Sequence, residues 1–301
     1  MNPTSSIGPQ RSPGIASVPG SPVVIGIDLG ATNIRGAVVS SDSLSEITAT
    51  RIHSDGSVEA VLQDIGQVIE TLLAPGISAI GIGVPSVVDV EQGIVYDVQY
   101  IPSWKEVHLK KLLEARYNIP VFVNNDANCF ALGEYYFGKG RGASSMVGLT
   151  IGTGLGGGII IHDRLFEGYN CGAGEFGCLP YKDNILEYYC SGSFFKNVYN
   201  LDGTQVYAAA RKGDAKALHL YAELGTHIGN AIKAVMYTCD PELIILGGSV
   251  SQAYDLFGET MWSAVKTLFF GKSAERIRIE TSNLENSGIL GAAALYYNAQ
   301  N

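Results

Sequence analysis

Two glycine-bearing stretches decide the fold of this chain: Ile27-Asp28-Leu29-Gly30-Ala31-Thr32-Asn33-Ile34-Arg35-Gly36 and Thr150-Ile151-Gly152-Thr153-Gly154-Leu155-Gly156-Gly157-Gly158-Ile159. Each lies between β-branched runs, which predicts a tight β-hairpin turn. A bare glycine backbone can approach a phosphate closely and point N–H groups at it. Between the two turns, Asp126 follows a short apolar strand, where its carboxylate could act as a base. This order predicts phosphoryl transfer from a nucleotide to a hydroxyl.

The composition sets limits on the class of protein. The chain has 301 residues, a net charge of -9 and 46% hydrophobic residues, which is enough apolar material for two domains. Its aliphatic runs are shorter than the roughly 20 apolar residues of a membrane span, so no membrane partner is expected. The five cysteines are odd in number and form no CxxC pair, which predicts reduced thiols in a cytoplasmic protein.

Residues 1–22 are rich in Ser, Pro and Gly and contain no apolar stretch, so we predict a disordered tail rather than a secretory signal. The tail is also too short for a helix-turn-helix domain. Together with the acidic balance, this argues against nucleic acid as a partner.

The rest of the chain predicts an α/β protein in two halves, each with a glycine-turn hairpin followed by helices and strands. The apolar periodicity predicts a helix over 57–74, with Ser57 as its N-cap, and a strand over 77–84. We therefore expect an N-terminal domain over 23–124, joined by a C-terminal helix at 287–301, and a C-terminal domain over 125–286. A duplicated unit of this kind implies a central cleft, where ligands bind.

The glycine turns have alternative explanations. No GxxxxGK[ST] sequence is present, so a P-loop is excluded. Gly152, Gly154 and Gly157 satisfy GxGxxG, but a dinucleotide-binding site needs a helix directly after the glycines, and Ile159 instead continues a strand. An ordinary glycine-rich hairpin remains the alternative for either turn alone, and a second such turn in the same chain makes it less favoured.

Taken in order, the motifs carry a resemblance that extends from about Val23 to the C-terminus. Asp28-x-Gly30-x-Thr32-x-x-Arg35 and the stretch from Ile151 to Gly158 resemble the two phosphate motifs of the actin-like sugar kinases. Two further segments, Asn125-Asp126-Ala127-Asn128 and Ala173-Gly174-Glu175-Phe176-Gly177, narrow the resemblance to the ROK family (repressors, uncharacterised frames, sugar kinases), of which the chain is identified as a glucokinase-like member. Leu246-Gly247-Gly248-Ser249 resembles the adenosine-side segment of that family.

The resemblance implies a two-domain actin-like ATPase (ribonuclease H-like) fold and a role for each matching residue. Asp126 would take the proton from the attacking hydroxyl, and Asp28 would hold Mg²⁺ beside the phosphates of ATP. The ATP side would comprise Asp28, Gly30, Thr32, Arg35, Gly152, Thr153, Gly154, Gly247 and Gly248, and the sugar side Asn125, Glu175 and Glu187. Alternatives stay open for four of them: a helix N-cap for Asp126, a turn cap for Asp28, an ion-pair partner for Arg35 and a helix-surface position for Glu187.

The chain departs from the family pattern on the acceptor side. Most members carry a histidine after Gly-Glu-x-Gly and a downstream cysteine cluster that bind zinc, but here Cys178 replaces the histidine and the cluster is missing. Zinc in a structural site requires four ligands, and Cys178 with Cys190 supplies at most two, so we predict no zinc. Tyr100 stands where the family often has a sugar-contacting asparagine, and Ser86 stands where it has glycine.

The expected activity is ATP-dependent phosphorylation of a hexose, with glucose the default acceptor and the 6-hydroxyl the expected site. One rival is an N-acetylmannosamine or N-acetylglucosamine kinase, which a pocket widened by loss of the histidine would favour. Another is a non-enzymatic sugar sensor. A polyphosphate-using kinase would need a basic groove, of which the net charge gives no sign. The resemblance also implies a homodimer.

Overall fold

The computed structural model describes residues 22–41 and 43–300, so the tail predicted at 1–22 lies outside the described residues except for Pro22. The strands are β1 (Val23–Leu29), β2 (Asn33–Val39), β3 (Thr48–Arg51), β4 (Ile77–Val84), β5 (Val88–Asp89), β6 (Ile94–Tyr96), β7 (Glu106–Val107), β8 (Val121–Asn125), β9 (Ser145–Ile151), β10 (Leu155–Ile161), β11 (Arg164–Leu165), β12 (Pro180–Tyr181), β13 (Asn184–Ile185), β14 (Leu243–Gly247) and β15 (Arg278–Thr281). The helices are α1 (Val58–Leu72), α2 (Leu109–Tyr117), α3 (Asp126–Phe137), α4 (Leu186–Cys190), α5 (Phe194–Tyr199), α6 (Gly203–Arg211), α7 (Ala215–Cys239), α8 (Tyr254–Val265), α9 (Gly271–Arg276) and α10 (Ser287–Gln300).

The first five-stranded sheet has the order β3-β2-β1-β4-β8. β1 and β2 form the antiparallel hairpin around the first glycine turn, and β1, β4 and β8 run parallel. Their interior positions are almost all apolar and buried, as expected for strands covered on both faces. α1 begins after Ser57, whose side chain accepts a hydrogen bond from the backbone N–H of Ala60, so the predicted cap is confirmed.

The second five-stranded sheet has the order β11-β10-β9-β14-β15 and repeats this plan. β9 and β10 form the antiparallel hairpin around the second glycine turn, and β14 pairs parallel with both β9 and β15. The long helix α7 packs against α8, and a core of buried residues from β9, β10, β14 and these helices lies beneath them. Two similar sheets therefore each carry one glycine turn at the end of a hairpin.

The final helix packs back onto the first sheet. α10 contacts β1, β4 and α3. At Gly81 a β-carbon would come 1.8 Å from the carbonyl oxygen of Ala292, so the helix backbone lies almost directly on the strand. The division of the chain at residues 124 and 125 stays a prediction.

Several short elements were not predicted from the sequence. β3 reads Thr-Ala-Thr-Arg, an edge strand that lacks the apolar residues a pattern search needs. β5, β6 and β7 form a small three-stranded sheet whose strands are too short to show a period. α8 is preceded by a short 3-10 turn at Val250–Ala253. No helix within 22–41 or 43–300 is long and apolar enough to cross a membrane.

Candidate active site

The parallel strands of the first sheet bring the predicted acidic residues to one edge. In the β-sheet register Asp28 is paired with Gly83, and Gly83 is paired with Asn124 on its other side. Asp126 follows as the first residue of α3, and a β-carbon at Gly83 would lie 3.7 Å from its Cα atom. Asp28 on the neighbouring strand and Asp126 over the face of the sheet therefore both lie beside Gly83, a position that carries no side chain.

Asp126 is accessible to solvent, but dense protein surrounds it. This desolvation raises its pKa to about 6, with further contributions from the charges of Asp28 and Glu175. The backbone N–H of Ala127 donates to Oδ1 at 2.8 Å, which opposes the rise. A carboxylate with a pKa near 6 is a stronger base than an ordinary aspartate and is still ionised at neutral pH, as a general base requires.

Asp28 and Arg35 face each other across the first hairpin, where they are partners in the register. Burial raises the pKa of Asp28, and the Arg35 charge acts in the opposite direction. Arg35 also donates to the side chain of Asn286, just before α10. At Gly288, in the first turn of α10, a β-carbon would lie 3.0 Å from Cγ of Asp28. The hairpin, the acid and the last helix thus meet at one point.

Asn125 performs the capping role that the sequence left open for Asp126. Its Oδ1 accepts from the backbone N–H groups of Ala127 at 2.9 Å and Asn128 at 3.4 Å, and its Nδ2 donates to the carbonyl oxygen of Ser86 at 3.2 Å. Asn125 is therefore the N-cap of α3. These bonds fix the amide at the cleft edge, and Asp126 shares only the Ala127 N–H with it.

The second turn is held by residues far along the chain. The backbone N–H of Gly152 donates to the carbonyl oxygen of Gly154 at 3.0 Å, which closes the turn. The backbone N–H of Leu155 donates to Oε2 of Glu187 at 2.9 Å. The hydroxyl of Ser193 donates to the carbonyl oxygen of Thr153 at 2.7 Å. Glu187 is half-buried at the start of α4 rather than on an exposed helix surface.

Glu175 lies next to the position where the family histidine is replaced. Cys178 Sγ is 3.9 Å from Oε2 of Glu175, and both side chains are exposed to solvent. Desolvation and the Glu187 charge raise the pKa of Glu175. Glu175 therefore interacts electrostatically with both Asp126 and Glu187, which joins the three acceptor-side carboxylates.

A cavity of about 490 Å³ opens beside the second turn. Gly152, Thr153 and Ser193 line its turn side, and Ser249 and Gln252 line the side after β14. Three aromatic rings also line it, namely Phe195, Tyr207 and Tyr221. Phe195 packs against Tyr221 with ring centroids 5.0 Å apart. The cavity thus joins a polar, glycine-lined end to an aromatic end, which suits a nucleotide.

A smaller cavity of about 340 Å³ adjoins the same turn; of the predicted sugar-side residues, Glu187 lines it and Asn125 and Glu175 do not. Gly154 and Glu187 line it, and so do Gln99 and Tyr100 from the first half of the chain. Tyr100 is 46% exposed, so its ring is available at the cavity wall. The two cavities share Thr153 and Ser193, so the second turn separates them.

Four more of the predicted ATP-side residues lie outside both sets of cavity-lining residues, namely Gly30, Thr32, Gly247 and Gly248. The backbone N–H of Gly30 donates to the carbonyl oxygen of Asn33 at 3.0 Å, and Thr32 is exposed at the tip of that turn. Gly248 has φ +80°, and a β-carbon there would meet the carbonyl oxygen of Ile151 at 2.4 Å. Gly247 packs against the ring of Phe130, so the fold itself requires a residue without a side chain at this position.

The aromatic lining of the nucleotide-sized cavity was missed by sequence reasoning. Phe195, Tyr207 and Tyr221 come from three different helices, α5, α6 and α7. No fixed spacing links them, so only the folded arrangement shows that they line one cavity. Ser193 was missed for the same reason.

Over 22–41 and 43–300 no group of three or more His, Cys, Asp or Glu side chains is arranged to hold a metal ion. Cys178 is exposed and Cys190 is fully buried. The predicted absence of zinc remains a prediction.

The fold and the site define a class of protein, the two-domain α/β proteins with the actin-like ATPase fold. A family model described as the ROK family matches residues 24–299. The chain belongs to the ROK family. The glucokinase of Thermotoga maritima is 30% identical over 309 residues, which cover 90% of this chain and 96% of that protein.

Other relatives show how wide the family is. The structure of a ROK family glucokinase from Streptomyces griseus, in complex with glucose and AMPPNP, has a TM-score of 0.75 and 28% identity, covering 91% of this chain and 98% of that one. The xylose repressor of Caldicellulosiruptor bescii is 28% identical over 90% of this chain and 77% of its own length. Family membership is thus compatible with a kinase and with a repressor, and the site has to decide between them.

Proposed function

We propose that this protein is an ATP-dependent sugar kinase of the glucokinase type, which transfers the γ-phosphoryl group of ATP to a hexose hydroxyl, with glucose to glucose 6-phosphate as the default reaction. The observation that carries the proposal is Asp126, an accessible carboxylate at a strand end with a pKa of about 6. A sensor needs to bind a sugar but does not need a base of this strength in the cleft. The cytoplasmic location stays a prediction.

Asp126 would accept the proton of the attacking hydroxyl as the phosphoryl group moves. Its position as the first residue of α3, with Asn125 performing the capping, holds the carboxylate at a fixed point of the cleft edge. Glu175 and Glu187 would accept hydrogen bonds from sugar hydroxyls, because each buried hydroxyl needs a partner. Asn125 keeps part of its Nδ2 donor capacity for the same purpose.

The donor nucleotide would lie in the 490 Å³ cavity. Gly152, Thr153 and Gly154 would present the second turn to its phosphates. Tyr207, which is partly exposed in the cavity wall, would contact the base, while the buried rings of Phe195 and Tyr221 pack behind it. The cavity continues to Ser249, which follows directly after the predicted adenosine-side residues Gly247 and Gly248.

The first hairpin fits a magnesium ion. Asp28 would supply carboxylate oxygens, the ligand type that Mg²⁺ prefers, while Asp126 remains the base. The carboxyl groups of Asp28 and Asp126 both have raised pKa values. A bound cation would reduce the repulsion between their charges. When bound, the ion would neutralise charge on the phosphates during transfer.

A second candidate acceptor is an N-acetylated amino sugar, either N-acetylmannosamine or N-acetylglucosamine. Two observations favour it: the small, exposed Cys178 beside Glu175, and the 340 Å³ cavity that continues past Glu187. A ring with an acyl substituent needs more room than glucose does. Both candidates use the same base and the same donor site.

The test is ADP release with Mg²⁺-ATP across glucose, mannose, fructose, N-acetylglucosamine and N-acetylmannosamine, with Asp126→Asn as the control. Turnover of one sugar that is lost in the variant supports a kinase and identifies its acceptor. Absence of turnover with all five, while calorimetry still detects sugar binding, contradicts the proposal for these sugars and favours a sensor.

A further inference from the structure

One segment of the chain, residues 175–195, contacts both sides of the site. It begins at Glu175, passes through the β12–β13 hairpin to Glu187, and ends at Ser193 and Phe195 in the wall of the nucleotide-sized cavity. We call it the bridging segment. It lies on the acceptor side at one end and on the donor side at the other.

The bridging segment is bonded to the second turn at three successive points. Besides the bonds from Leu155 to Glu187 and from Ser193 to Thr153, the backbone N–H of Gly192 donates to the carbonyl oxygen of Gly152 at 2.7 Å. The fit is close, because a β-carbon at Gly192 would lie 2.9 Å from that same oxygen. The shape of the turn therefore depends on the bridging segment.

Of the three contacts between the bridging segment and the second turn, the one made by Glu187 involves a charged side chain. Its Oε2 would lie 2.5 Å from a β-carbon at Gly154, so the carboxylate rests directly on the turn. The same side chain lines the 340 Å³ cavity. The Glu187 carboxylate thus lies on a backbone that is proposed to receive the phosphates of ATP. Both groups are negatively charged, so they repel each other.

The backbone on either side of Glu187 is held in place by contacts with α7. The hydroxyl of Tyr181 in β12 lies 3.0 Å from Nδ1 of His227 in α7, and Asn230 donates to the same hydroxyl at 2.9 Å. Tyr189, two residues after Glu187, is buried with its ring 5.2 Å from the His227 ring. Because the hairpin and α4 are held to α7 in this way, changes at Glu187 act through its side chain.

We propose that Glu187 is a positioning residue that couples acceptor binding to ATP binding; the inference rests on the proposed function. Without a sugar, the carboxylate opposes the phosphates at the second turn and keeps ATP affinity low. A sugar hydroxyl that donates to Glu187 reduces the charge density there, and the turn then accepts the phosphates. The coupling limits ATP hydrolysis when no acceptor is present.

The test uses the full chain, Mg²⁺ and AMPPNP as the probe, with affinity measured by calorimetry in the absence of sugar. Glu187→Gln keeps an oxygen for the Leu155 N–H but removes the charge, so we expect AMPPNP to bind about fivefold tighter or more than to the wild type. Raising the salt concentration should shrink this difference, because screening weakens the repulsion in the wild type. A purely structural role for Glu187 would not produce that salt dependence.

Glu46→Gln is the control, since it removes an exposed carboxylate that lines neither cavity and makes no bond to the turn. Its sugar-free AMPPNP affinity should stay near that of the wild type. Equal AMPPNP affinity of wild type and Glu187→Gln, or weaker binding by the variant, overturns the inference and leaves the kinase proposal standing. Failure of both proteins to bind AMPPNP at all overturns the kinase proposal and the inference with it.

Discussion

The turn between β1 and β2 and the turn between β9 and β10 differ in what holds them. The first closes on itself through Gly30 and Asn33, and its other backbone support is the bond from Ile52 N–H to the carbonyl oxygen of Thr32 at 3.0 Å. The second is held by Glu187, Gly192 and Ser193 of the bridging segment. Two turns that look equivalent in the sequence therefore depend on different parts of the chain.

This difference has a functional consequence under the proposed activity. The first turn lies next to Asp28 and contacts α10, so it forms part of the first sheet and of the proposed magnesium site. The second turn lies between the two cavities and shares residues with both. A disturbance on the acceptor side should reach the phosphates through the second turn and leave the first unaffected.

The largest effect is expected at the base between the two turns. Asp126→Asn should lower kcat by about 10² to 10⁴, the usual contribution of a general base, while AMPPNP binding is retained. Steady-state kinetics and calorimetry on the same preparation check both parts. Glu46→Gln, at an exposed acid that precedes the opposite end of β3, should leave kcat unchanged. A fully active Asp126→Asn enzyme would remove Asp126 from the mechanism.

Matched alanine substitutions compare the turns directly. Gly154→Ala places a β-carbon 2.5 Å from Oε2 of Glu187, which then has to move off its bond with the Leu155 N–H, whereas Gly30→Ala places one 3.1 Å from the carbonyl oxygen of Asn33 and breaks no bond to another segment. We expect KM for ATP to rise about tenfold or more in Gly154→Ala and less in Gly30→Ala. Adding Glu187→Ala to Gly154→Ala should recover part of the loss, because the clash is removed. Equal defects at the two turns would mean that their supports do not matter.

The pH dependence tests the charges beside Gly83. Because the pKa of Asp126 is raised to about 6, kcat/KM should fall on the acid side with a midpoint about pH 6, as protonation removes the base. Desolvation is the main cause, and Asp28 adds to it. In Asp28→Asn the Asp126 carboxyl, followed by NMR, should therefore titrate at a lower pH than in the wild type. An unchanged titration would show that the two acids do not interact.

The smallest effect is expected at one hydrogen bond of the second turn. Ser193→Ala removes the donor to the Thr153 carbonyl, a bond worth about 0.5 to 1.5 kcal/mol, so KM for ATP should rise roughly twofold to tenfold. Ser263→Ala is the control, because Ser263 donates only to the carbonyl of Glu259 within its own helix. Equal KM values for the two variants would show that the bridging segment does not set the turn.

The sequence was informative where residues act locally. Long apolar strands such as β4 and the capped helix α1 follow from period and capping chemistry, and both hairpins follow from glycine between β-branched runs. The actin-like fold and the family were also expected from the ordered motifs, and the comparisons confirm them.

The sequence was uninformative where contacts join distant parts of the chain. Nothing local shows that Leu155 bonds to Glu187, or that Phe195, Tyr207 and Tyr221 line one cavity. The choice of Asn125 over Asp126 as the cap of α3 also depends on the position of one backbone N–H relative to two adjacent polar side chains. The individual roles of the site residues stay predictions.

The most direct test of the central claim is ³¹P NMR of the protein with Mg²⁺-ATP and the acceptor selected from the sugar panel, glucose being the first choice. The kinase account predicts a new phosphomonoester signal on the sugar, at C6 for glucose, growing in step with ADP and missing in Asp126→Asn. ADP accompanied by inorganic phosphate alone, or no change in the ATP signals, would contradict it.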